Sequence, residues 1–399
     1  MIKLLDLKNH SVIAINQNNY TKEDNYKKVC YLDTDNITNN RINAFLKIDL
    51  TKEKLPSRAK RKCSLNSIIY SSVRPNQRHF GIIKEIPKNF LVSTAFIVID
   101  IIDLKKLDPN YLYYYITQDK ITHYLQRIAE CGTSSYLSIT PLDFLNIKIK
   151  LYPLETQQKI AHTLSILDQK IENNHKINKL LHKILELLYE QYFVRFDFLD
   201  ENNKPYQTSG GKMKFSKELN RLIPSGWSVR FLNHKIVSTY QPKTISKTLL
   251  NDSYSYSVYG GGGIIGRFTE YNHEQSEFII SCRGQCGISY LTLPKSWITG
   301  NAMVIRPTES YTSKTYLYHT IKKYKLANYI TGSVQPQITR QNLSTMPILI
   351  PKRKTLNKWN NISSLLWNLI HNNMQSTQTL TALRDFLLPL LLTQQVKPQ

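Results

Sequence analysis

The most regular hydrophobic pattern in the chain begins after Thr156, where apolar residues recur in alternating steps of four and three. This seam consists of Ile160, Leu164, Leu167, Ile171, Asn174, Asn178, Leu181, Leu185, Leu188 and Tyr192. Alternating steps of four and three place residues on one face of a helix at the spacing found in coiled coils. The pattern therefore predicts one helix over residues 156–193, on the order of 55 Å long at ~1.5 Å per residue.

Much of this region recurs 199 residues further along the chain. Ile139-Thr140 returns as Ile338-Thr339, and Asn173-Asn174 returns as Asn372-Asn373. This offset is half of the 399 residues and far exceeds the roughly 20 to 50 residues of a solenoid repeat, so it indicates duplication of a whole domain with its helix.

The shifted seam predicts a second helix over residues 355–392, which Pro389 is expected to kink or end. Its positions are Trp359, Ser363, Leu366, Ile370, Asn373, Thr377, Leu380, Arg384, Leu387 and Leu391. Apolar stripes at this spacing need a partner, and each helix has one in the same chain. Because a duplicated chain tends to close on a pseudo-two-fold axis, we expect the two helices to run antiparallel.

The remaining sequence reads as mixed helix and strand, with strands at 96–99 and 147–151 and a helix over 111–127. The predicted fold is α+β, with two similar globular domains separated by two long antiparallel coiled-coil helices in a pseudo-two-fold internal repeat. The predicted segments are 1–152 (first domain), 153–195 (first helix), 196–222 (linker), 223–351 (second domain) and 352–399 (second helix).

The centre of the first predicted helix falls at Asn174, whose repeat equivalent is Asn373. Equivalent residues of an antiparallel pair face each other only at the midpoint, so we expect these two amides to hydrogen-bond and fix the axial register. In the alternative interpretation, Asn174 is solvated because another protein, and not the partner helix, covers this face.

The chain is strongly basic, with 53 Lys and Arg against 29 Asp and Glu, a net charge of +24. A charge of this size favours a polyanionic partner such as nucleic acid, although an AT-rich genome also enriches lysine. The five cysteines lack framework spacing and indicate a reducing compartment. No signal-peptide pattern and no apolar run of ~20 residues is present, so we expect a soluble cytoplasmic protein without a membrane segment.

No familiar catalytic motif is present: the sequence has no Walker A loop, no His-Glu-x-x-His and no Asn-Pro-Pro or Asp-Pro-Pro. The Gly261 to Gly266 stretch matches G-x-G-x-x-G, but the residues after it lack helical periodicity, which favours a loop close to phosphates over a dinucleotide site. Cys282 and Cys286 would begin a zinc site only if a second pair existed. We therefore predict no catalytic residue and no metal site.

Basic and amide side chains in loops are the candidate DNA contacts. Arg and Lys pair with guanine, and Asn and Gln with adenine, in the major groove, while Arg and Lys also hold phosphates. In the first half the candidates are Arg58, Lys60, Arg61, Arg74, Asn76, Gln77 and Arg78. In the second half they are Arg267, Arg283, Gln285, Gln335, Gln337 and Arg340.

These features together resemble the DNA-specificity subunit of Type I restriction-modification systems. The run from Pro153 through Gln157 is similar to the Pro-Leu-x-x-Gln opening of the family's spacer helix, and the run from Ile223 to Trp227 to the start of its second domain. The segments around Pro56, Arg74 and Tyr259 look like parts of its target-recognition domains. The resemblance covers nearly the whole chain.

The resemblance implies a non-catalytic subunit in which each globular domain reads one half of a split DNA target. It also implies assembly with two modification (methyltransferase) subunits and with restriction subunits that translocate DNA. S-adenosylmethionine, ATP and Mg²⁺ would then belong to those partners, and this chain would hold no cofactor. Two rival hypotheses remain open: a free-standing nuclease or methyltransferase, and a coiled-coil scaffold that binds no DNA.

Overall fold

A computed structural model of the chain describes residues 1–38, 40–132, 137–251, 254–308, 311–332 and 335–397. These residues form two compact units. Unit 1 contains Met1–Glu172 and the C-terminal residues from Thr377 onward, and unit 2 contains Asn173–Ser376. The sequence placed domain boundaries at the ends of the long helices, whereas the division between the units falls within both helices.

Unit 1 is built from short strands followed by helices. Its elements are β1 (Ile2–Lys3), α1 (Leu4–Asn9), β2 (Ile13–Ile15), β3 (Lys28–Leu32), β4 (Ile37–Thr38), β5 (Arg41–Ile42), β6 (Leu46–Asp49), β7 (Ala59–Arg61), β8 (Ile68–Ser71), β9 (Phe80–Ile82), β10 (Phe90–Ser93), β11 (Phe96–Ile101), α2 (Pro109–Ile116), α3 (Asp119–Cys131), α4 (Pro141–Leu145), β12 (Lys148–Ile149) and the start of α5 (Leu154–Tyr189). The two larger sheets have the orders β6-β3-β10-β7 and β2-β11-β8-β9.

Unit 2 repeats this plan. Its elements are the end of α5 with a π-helical turn (Glu190–Val194), β13 (Met213–Ser216), β14 (Arg221–Pro224), β15 (Ser228–Phe231), β16 (Val237–Tyr240), β17 (Tyr256–Gly260), β18 (Gly263–Phe268), β19 (Phe278–Ser281), β20 (Ser289–Leu291), β21 (Trp297–Ile298), β22 (Ala302–Pro307), α6 (Lys314–Lys323), β23 (Ile330–Thr331), β24 (Gln337–Ile338), α7 (Arg340–Leu343), β25 (Pro347–Ile350) and the start of α8 (Arg353–Thr393). The end of α8 belongs to unit 1. Its larger sheets, β16-β22-β19-β20 and β18-β17-β21, match those of unit 1 in order, except for the additional β7.

The central strands of each unit are buried on both faces, and their side chains alternate between two cores. In β8, Ile68 and Tyr70 pack with the helices of unit 1, while Ile69 packs with the sheet that contains β3 and β10. In β19, Phe278 and Ile280 join the helical core of unit 2, while Ile279 packs with residues of β17 and β21. Successive side chains of a strand point to opposite faces, so these continuous apolar runs are strands between two layers.

The repeated Ile-Thr pair has the same structural role in both units. Ile139 and Ile338 are buried, and each following threonine caps a short helix. The Oγ1 atom of Thr140 accepts a hydrogen bond from the N–H of Asp143 at 3.2 Å, and that of Thr339 accepts one from the N–H of Asn342 at 3.1 Å. Each cap satisfies an amide that the first helical turn leaves without a partner.

The two long helices are antiparallel, as predicted, and this is visible within each unit. In unit 1, Leu164 near the start of α5 shares a core with Leu391 near the end of α8. In unit 2, Leu185 near the end of α5 shares a core with Trp359 near the start of α8. Every predicted seam position is buried or half-buried. Pro389 lies inside α8, which continues to Thr393, so it does not end the helix.

Several local predictions differ from the structure. The helix predicted over 111–127 is two helices, α2 and α3, separated at Thr117 and Gln118. Within the expected linker, Phe196 and Phe198 are buried and pack on Trp227, with ring centroids 5.6 and 5.1 Å away. The aromatic core of unit 2 therefore extends into this segment.

The seam asparagines form a connected set in unit 2. The side-chain Nδ2 of Asn174 lies 3.5 Å from the main-chain oxygen of Asn373, which is a long contact. The side chain of Asn373 donates to the Oδ1 of Asn178 at 2.9 Å, and Asn178 donates to the main-chain oxygen of Ile370 at 3.4 Å. Asn174 therefore contacts the main chain of Asn373, and the side chain of Asn373 makes a shorter hydrogen bond with Asn178.

No helix in the described part of the chain combines the length and apolar character needed to cross a membrane.

Candidate nucleic-acid interface

A loop at the end of an inner strand occupies the same topological position in both units; we call these the reading loops, residues 72–79 after β8 and 282–288 after β19. Each loop accepts a main-chain hydrogen bond from the segment that precedes a short capped helix, α4 in unit 1 and α7 in unit 2. The N–H of Ile139 donates to the oxygen of Ser72 at 2.8 Å, and the N–H of Ile338 donates to the oxygen of Cys282 at 3.1 Å. The two loops are therefore structural equivalents.

The backbone of the reading loops is equivalent as well. Val73 forms an isolated β-bridge with Ser138, and Arg283 forms one with Gln337. The two partners, Ser138 and Gln337, are repeat equivalents at the 199-residue offset. The next residue has a positive φ in both units, 48° at Arg74 and 74° at Gly284. The residue two positions before the following strand also does, 55° at Arg78 and 88° at Gly287. The two loops thus share a bridge and two positive-φ positions, although unit 1 has one more residue between those positions and a short 3₁₀ helix at Pro75–Gln77.

In unit 1, the structure brings two separate candidate segments together at the turn between β10 and β11. The N–H of Thr94 donates to the oxygen of Arg58 at 2.8 Å, and the N–H of Ser72 donates to the oxygen of Ala95 at 2.7 Å. Arg58 and Arg74 are both exposed. The main chains of Arg58 and Ser72 therefore meet at one turn, so two segments that carry exposed arginines lie next to each other, and arginine side chains suit a phosphate or a guanine edge.

The helix α3 positions the rest of the first reading loop. The main-chain N–H of Asn76 donates to Gln126 Oε1 at 3.2 Å, and the side chains of Asn76 and Gln77 are exposed. The Nη2 of Arg78 pairs with Asp119 Oδ1 at 2.9 Å. Sequence reasoning missed Gln126 and Asp119, because their only local signal is that of an amphipathic helix.

The basic residues of β7 differ from one another. Lys60 is exposed, whereas Arg61 is half-buried and burial lowers the pKa of its guanidinium. The Nε of Arg61 has no hydrogen-bond partner within the described part of the chain. Arg61 is therefore less accessible to DNA than the sequence indicated.

In unit 2, the glycine-rich turn lies against the second reading loop. A Cβ atom on Gly261 would lie 2.5 Å from the main-chain oxygen of Arg283, and one on Gly262 would lie 3.7 Å from Gln285 Oε1. The glycines connect β17 to β18 in a hairpin, so the residues that follow them continue as a strand. Glycine is needed at position 261 because the two backbones touch.

The exposed candidates of unit 2 lie on two adjoining segments. Arg283 and Gln285 belong to the reading loop, Gln335 and Gln337 to the segment bridged with it, and Arg340 to the first turn of α7; all five side chains are exposed. Arg267 differs, because its guanidinium donates to the main-chain oxygens of Tyr254 and Ser255. Arg267 therefore stabilises the neighbouring main chain of its own unit.

The two cysteines near this loop act as small packing residues. Cys282 is buried, its sulfur accepts from Gln241 Nε2 at 2.8 Å, and burial raises the pKa of its thiol. Cys286 donates to the main-chain oxygen of Pro336 at 3.0 Å, which helps to fix the bridged segment. Among the described residues, no group of three or more His, Cys, Asp or Glu side chains is placed to hold a metal ion.

Comparison with known proteins points to one family. The sequence model described as the Type I restriction modification DNA specificity domain matches residues 8–183 and 224–382. The chain is 22% identical over 445 residues to the Type I restriction enzyme HindI specificity subunit of Haemophilus influenzae, covering 93% of this chain and 95% of the relative. It is 24% identical over 316 residues to the MjaIX specificity subunit of Methanocaldococcus jannaschii, covering 71% and 68% respectively.

A solved structure shows the same fold. The S subunit of the Type I restriction-modification system from M. genitalium superposes with a TM-score of 0.56 at 15% identity, covering 98% of this chain and 95% of that one. Since the family match spans most of both halves and the internal repeat is present in the fold, the chain belongs to the Type I restriction-modification DNA specificity family.

Proposed function

We propose that this chain reads a bipartite DNA target for a Type I restriction-modification complex, with one half-site recognised by each unit. The observation that carries the proposal is the pair of equivalent reading loops. They have the same topology, the same main-chain hydrogen bond from a buried isoleucine and two positive-φ positions each, but they expose Arg74, Asn76 and Gln77 in one unit and Arg283 and Gln285 in the other. The same position with different side chains suits two half-sites of different sequence.

The charge of the chain supports a DNA ligand. A net charge of +24 attracts the phosphate backbone, and counterion release makes that attraction dependent on salt. Arg58 immediately precedes β7 and Lys60 lies on it, and both side chains are exposed. From there they can hold phosphates while the first reading loop contacts bases. Phosphate contacts of this kind position the protein, and base contacts specify the sequence.

We further propose that two modification subunits dock on the long helices and that restriction subunits join that complex. In unit 2 the face of α5 away from its seam exposes Ile177, Leu180, Ile184 and Leu187, each between 44% and 62% exposed. A contiguous exposed apolar stripe marks a protein interface. The methyl donor S-adenosylmethionine, and ATP with Mg²⁺, would be held by these partners in the cytoplasm, and the present chain would be non-catalytic.

Exchange of residues 223–350 for the matching region of a relative tests the proposal. The chimaera is expressed with its modification subunits, and the methylated sequences are read from the host genome. Only one half of the target is expected to change, because the units carry separate reading loops. A target altered in both halves would indicate one composite reading surface.

The purified chain alone, incubated with DNA, Mg²⁺ and S-adenosylmethionine, tests the enzyme alternative. Cleavage or methylation without partners would identify a free-standing enzyme.

A further inference from the structure

Arg384, a seam position of α8, forms an ion pair with Asp168, which follows the seam residue Leu167 on α5; both residues lie in unit 1. The Nη1 of Arg384 on α8 contacts the Oδ1 of Asp168 on α5 at 2.8 Å, and the two side chains are only 20% and 32% exposed. The hydroxyl of Tyr114 donates to the other carboxylate oxygen of Asp168 at 2.6 Å. Although burial opposes its charge, the carboxylates of Asp168 and Asp385 raise the pKa of Arg384. Both charges are therefore paired and hydrogen-bonded.

The internal repeat replaces this ion pair by apolar residues in unit 2. The repeat equivalent of Asp168 is Trp367, and that of Arg384 is Leu185. Both belong to the core of unit 2, where Leu185 is fully buried and Trp367 is 6% exposed. The two ends of the seam are thus chemically different, although the helices arose as copies.

The different residues at the two ends of the seam affect how well two copies of the same helix would pair. If α5 paired with α5 of a second copy in the same register, Asp168 of each chain would face Leu185 of the other. If α8 paired with another α8, Arg384 would face Trp367. In the first arrangement each Asp168 loses its arginine; in the second each Arg384 loses Asp168 and keeps only Asp385 of its own helix, at 2.8 Å. Either arrangement therefore removes the ion pair across the seam, and it does so twice in each helix pair.

The asparagines at the centre do not make this distinction. Asn174 and Asn373 are repeat equivalents, so α5 and α8 present the same amide at that position. Each homotypic pair would also bring together polar residues there, since Asn178 has Thr377 as its equivalent. Discrimination between partners therefore depends on the charged end of the seam.

We propose that the Asp168–Arg384 ion pair selects the partner of each long helix, so that the α5 seam accepts α8 and excludes α5 from a second copy of the chain. A polar or charged contact that is satisfied in only one arrangement specifies that arrangement. The consequence for DNA rests on the proposed function: each pair of long helices then joins one unit 1 to one unit 2, and a symmetric target is avoided.

Two full-length copies with different affinity tags, expressed together, provide the test. One tag is used for capture, and the recovery of the other copy and the mass in solution are measured. The D168L/R384L variant is expected to recover the second copy several-fold more than the native chain, because the charged end of both homotypic seams becomes apolar. The D168R/R384D variant is expected to behave as the native chain, because the charges are exchanged but remain paired.

The R41L/E172L variant is the matched control. It removes another ion pair of α5, 3.0 Å long with both side chains 40% exposed, and adds two leucines outside the α5–α8 seam. Equal recovery from D168L/R384L and the native chain would overturn the proposal. Failure of D168L/R384L to fold, while R41L/E172L folds, would also overturn it, since the pair would then serve stability and not partner choice. Neither result depends on DNA reading, so the proposed function would remain separately testable.

Discussion

The side-chain amide of Asn373 on α8 donates a hydrogen bond to the side-chain oxygen of Asn178 on α5, and the two atoms lie 2.9 Å apart. Asn178 in turn contacts the main chain at Ile370. The two amides lie on neighbouring heptad positions of a seam whose other positions in unit 2 are mostly apolar. Polar groups in such a seam favour one axial register at some cost in stability.

Leucine substitutions at Asn178 and Asn373 therefore test the effect of these amides on stability separately from their effect on the axial register. We expect N178L/N373L to raise the Tm, because leucine buries apolar surface without a polar group to satisfy. N373L alone is expected to lower the free energy of unfolding by about 1–3 kcal/mol, since Asn178 loses its partner. Thermal unfolding measures both effects. An N178L/N373L variant less stable than N373L would contradict this explanation.

In the complex, N178L/N373L is expected to accept targets with a wider range of gaps between half-sites. A slip of one heptad moves a helix by about 10 Å, which corresponds to roughly three base pairs. Methylation of a series of DNA duplexes with different gaps measures this tolerance. Unchanged gap preference would show that these amides do not set the register.

Gly261→Ala is expected to displace the second reading loop. The new Cβ would lie 2.5 Å from a main-chain oxygen, so the backbone must shift, at a cost of about 1–3 kcal/mol. Methylation should weaken through loss of the second half-site, with recognition of the first half intact. Gly262→Ala is the control, because its Cβ meets only the end of a flexible side chain. Equal effects of the two variants would mean that the close approach is unimportant.

Arg58→Ala is expected to flatten the salt dependence of DNA binding. Loss of one phosphate contact reduces the slope of log K against log salt by about 0.9. Arg61→Ala should leave the slope unchanged, because that side chain is half-buried. Binding titrations of the complex at several salt concentrations compare the two variants. A reduced slope for Arg61→Ala would show that its guanidinium reaches DNA.

Two buried histidines should make unit 2 sensitive to acid. Burial, with a smaller effect of Lys322, lowers the pKa of His319 from 6.5 to about 3, and burial with Lys314 lowers that of His371 to about 4. In the unfolded chain both protonate near pH 6.5, so the unfolded state binds more protons below that pH. The contribution of these histidines to the free energy of unfolding is therefore fully present above pH 6.5. It decreases as the pH is lowered toward the folded-state pKa values, by up to about 1.4 kcal/mol per pH unit for each histidine.

Urea unfolding between pH 7 and pH 4 measures this loss. His319→Phe is expected to reduce the pH dependence, because it removes one of the two titrating groups. His234→Phe, at an exposed position of the same unit, should leave it unchanged. Identical pH profiles for the native chain and His319→Phe would contradict the assignment.

The sequence predicted the long helices well because their pattern is local. A seam with steps of four and three is visible in any short window, and all of its predicted positions are buried or half-buried. It did not include Asp168 and Trp367, which also contact the partner helix. The break between α2 and α3 has no comparable periodic pattern. Six of the eight residues in α2 are large and apolar, and every residue of α2 except Asn110 is buried. Tertiary packing, and not periodicity, separates these helices.

The candidate site was predicted as a set of residues but not as a geometry. The loop chemistry indicated Arg58 and Arg74, yet their proximity arises from hydrogen bonds between β10, β11 and segments far apart in sequence. The roles of Arg61 and Arg267 also depended on contacts that composition does not reveal. Side-chain type predicts what a residue can bind, whereas only the fold determines whether its polar atoms are still available.

Arg74 and Arg78 adopt the left-handed backbone conformation that Gly284 and Gly287 adopt in the other unit. For arginine this conformation costs on the order of 1 kcal/mol relative to a residue that adopts it freely. An Arg74→Gly change should therefore relieve local strain while removing a side chain from the loop. The first loop thus holds two arginines at backbone positions where the second loop has glycine, so part of the folding free energy of unit 1 is spent on keeping these two side chains in place.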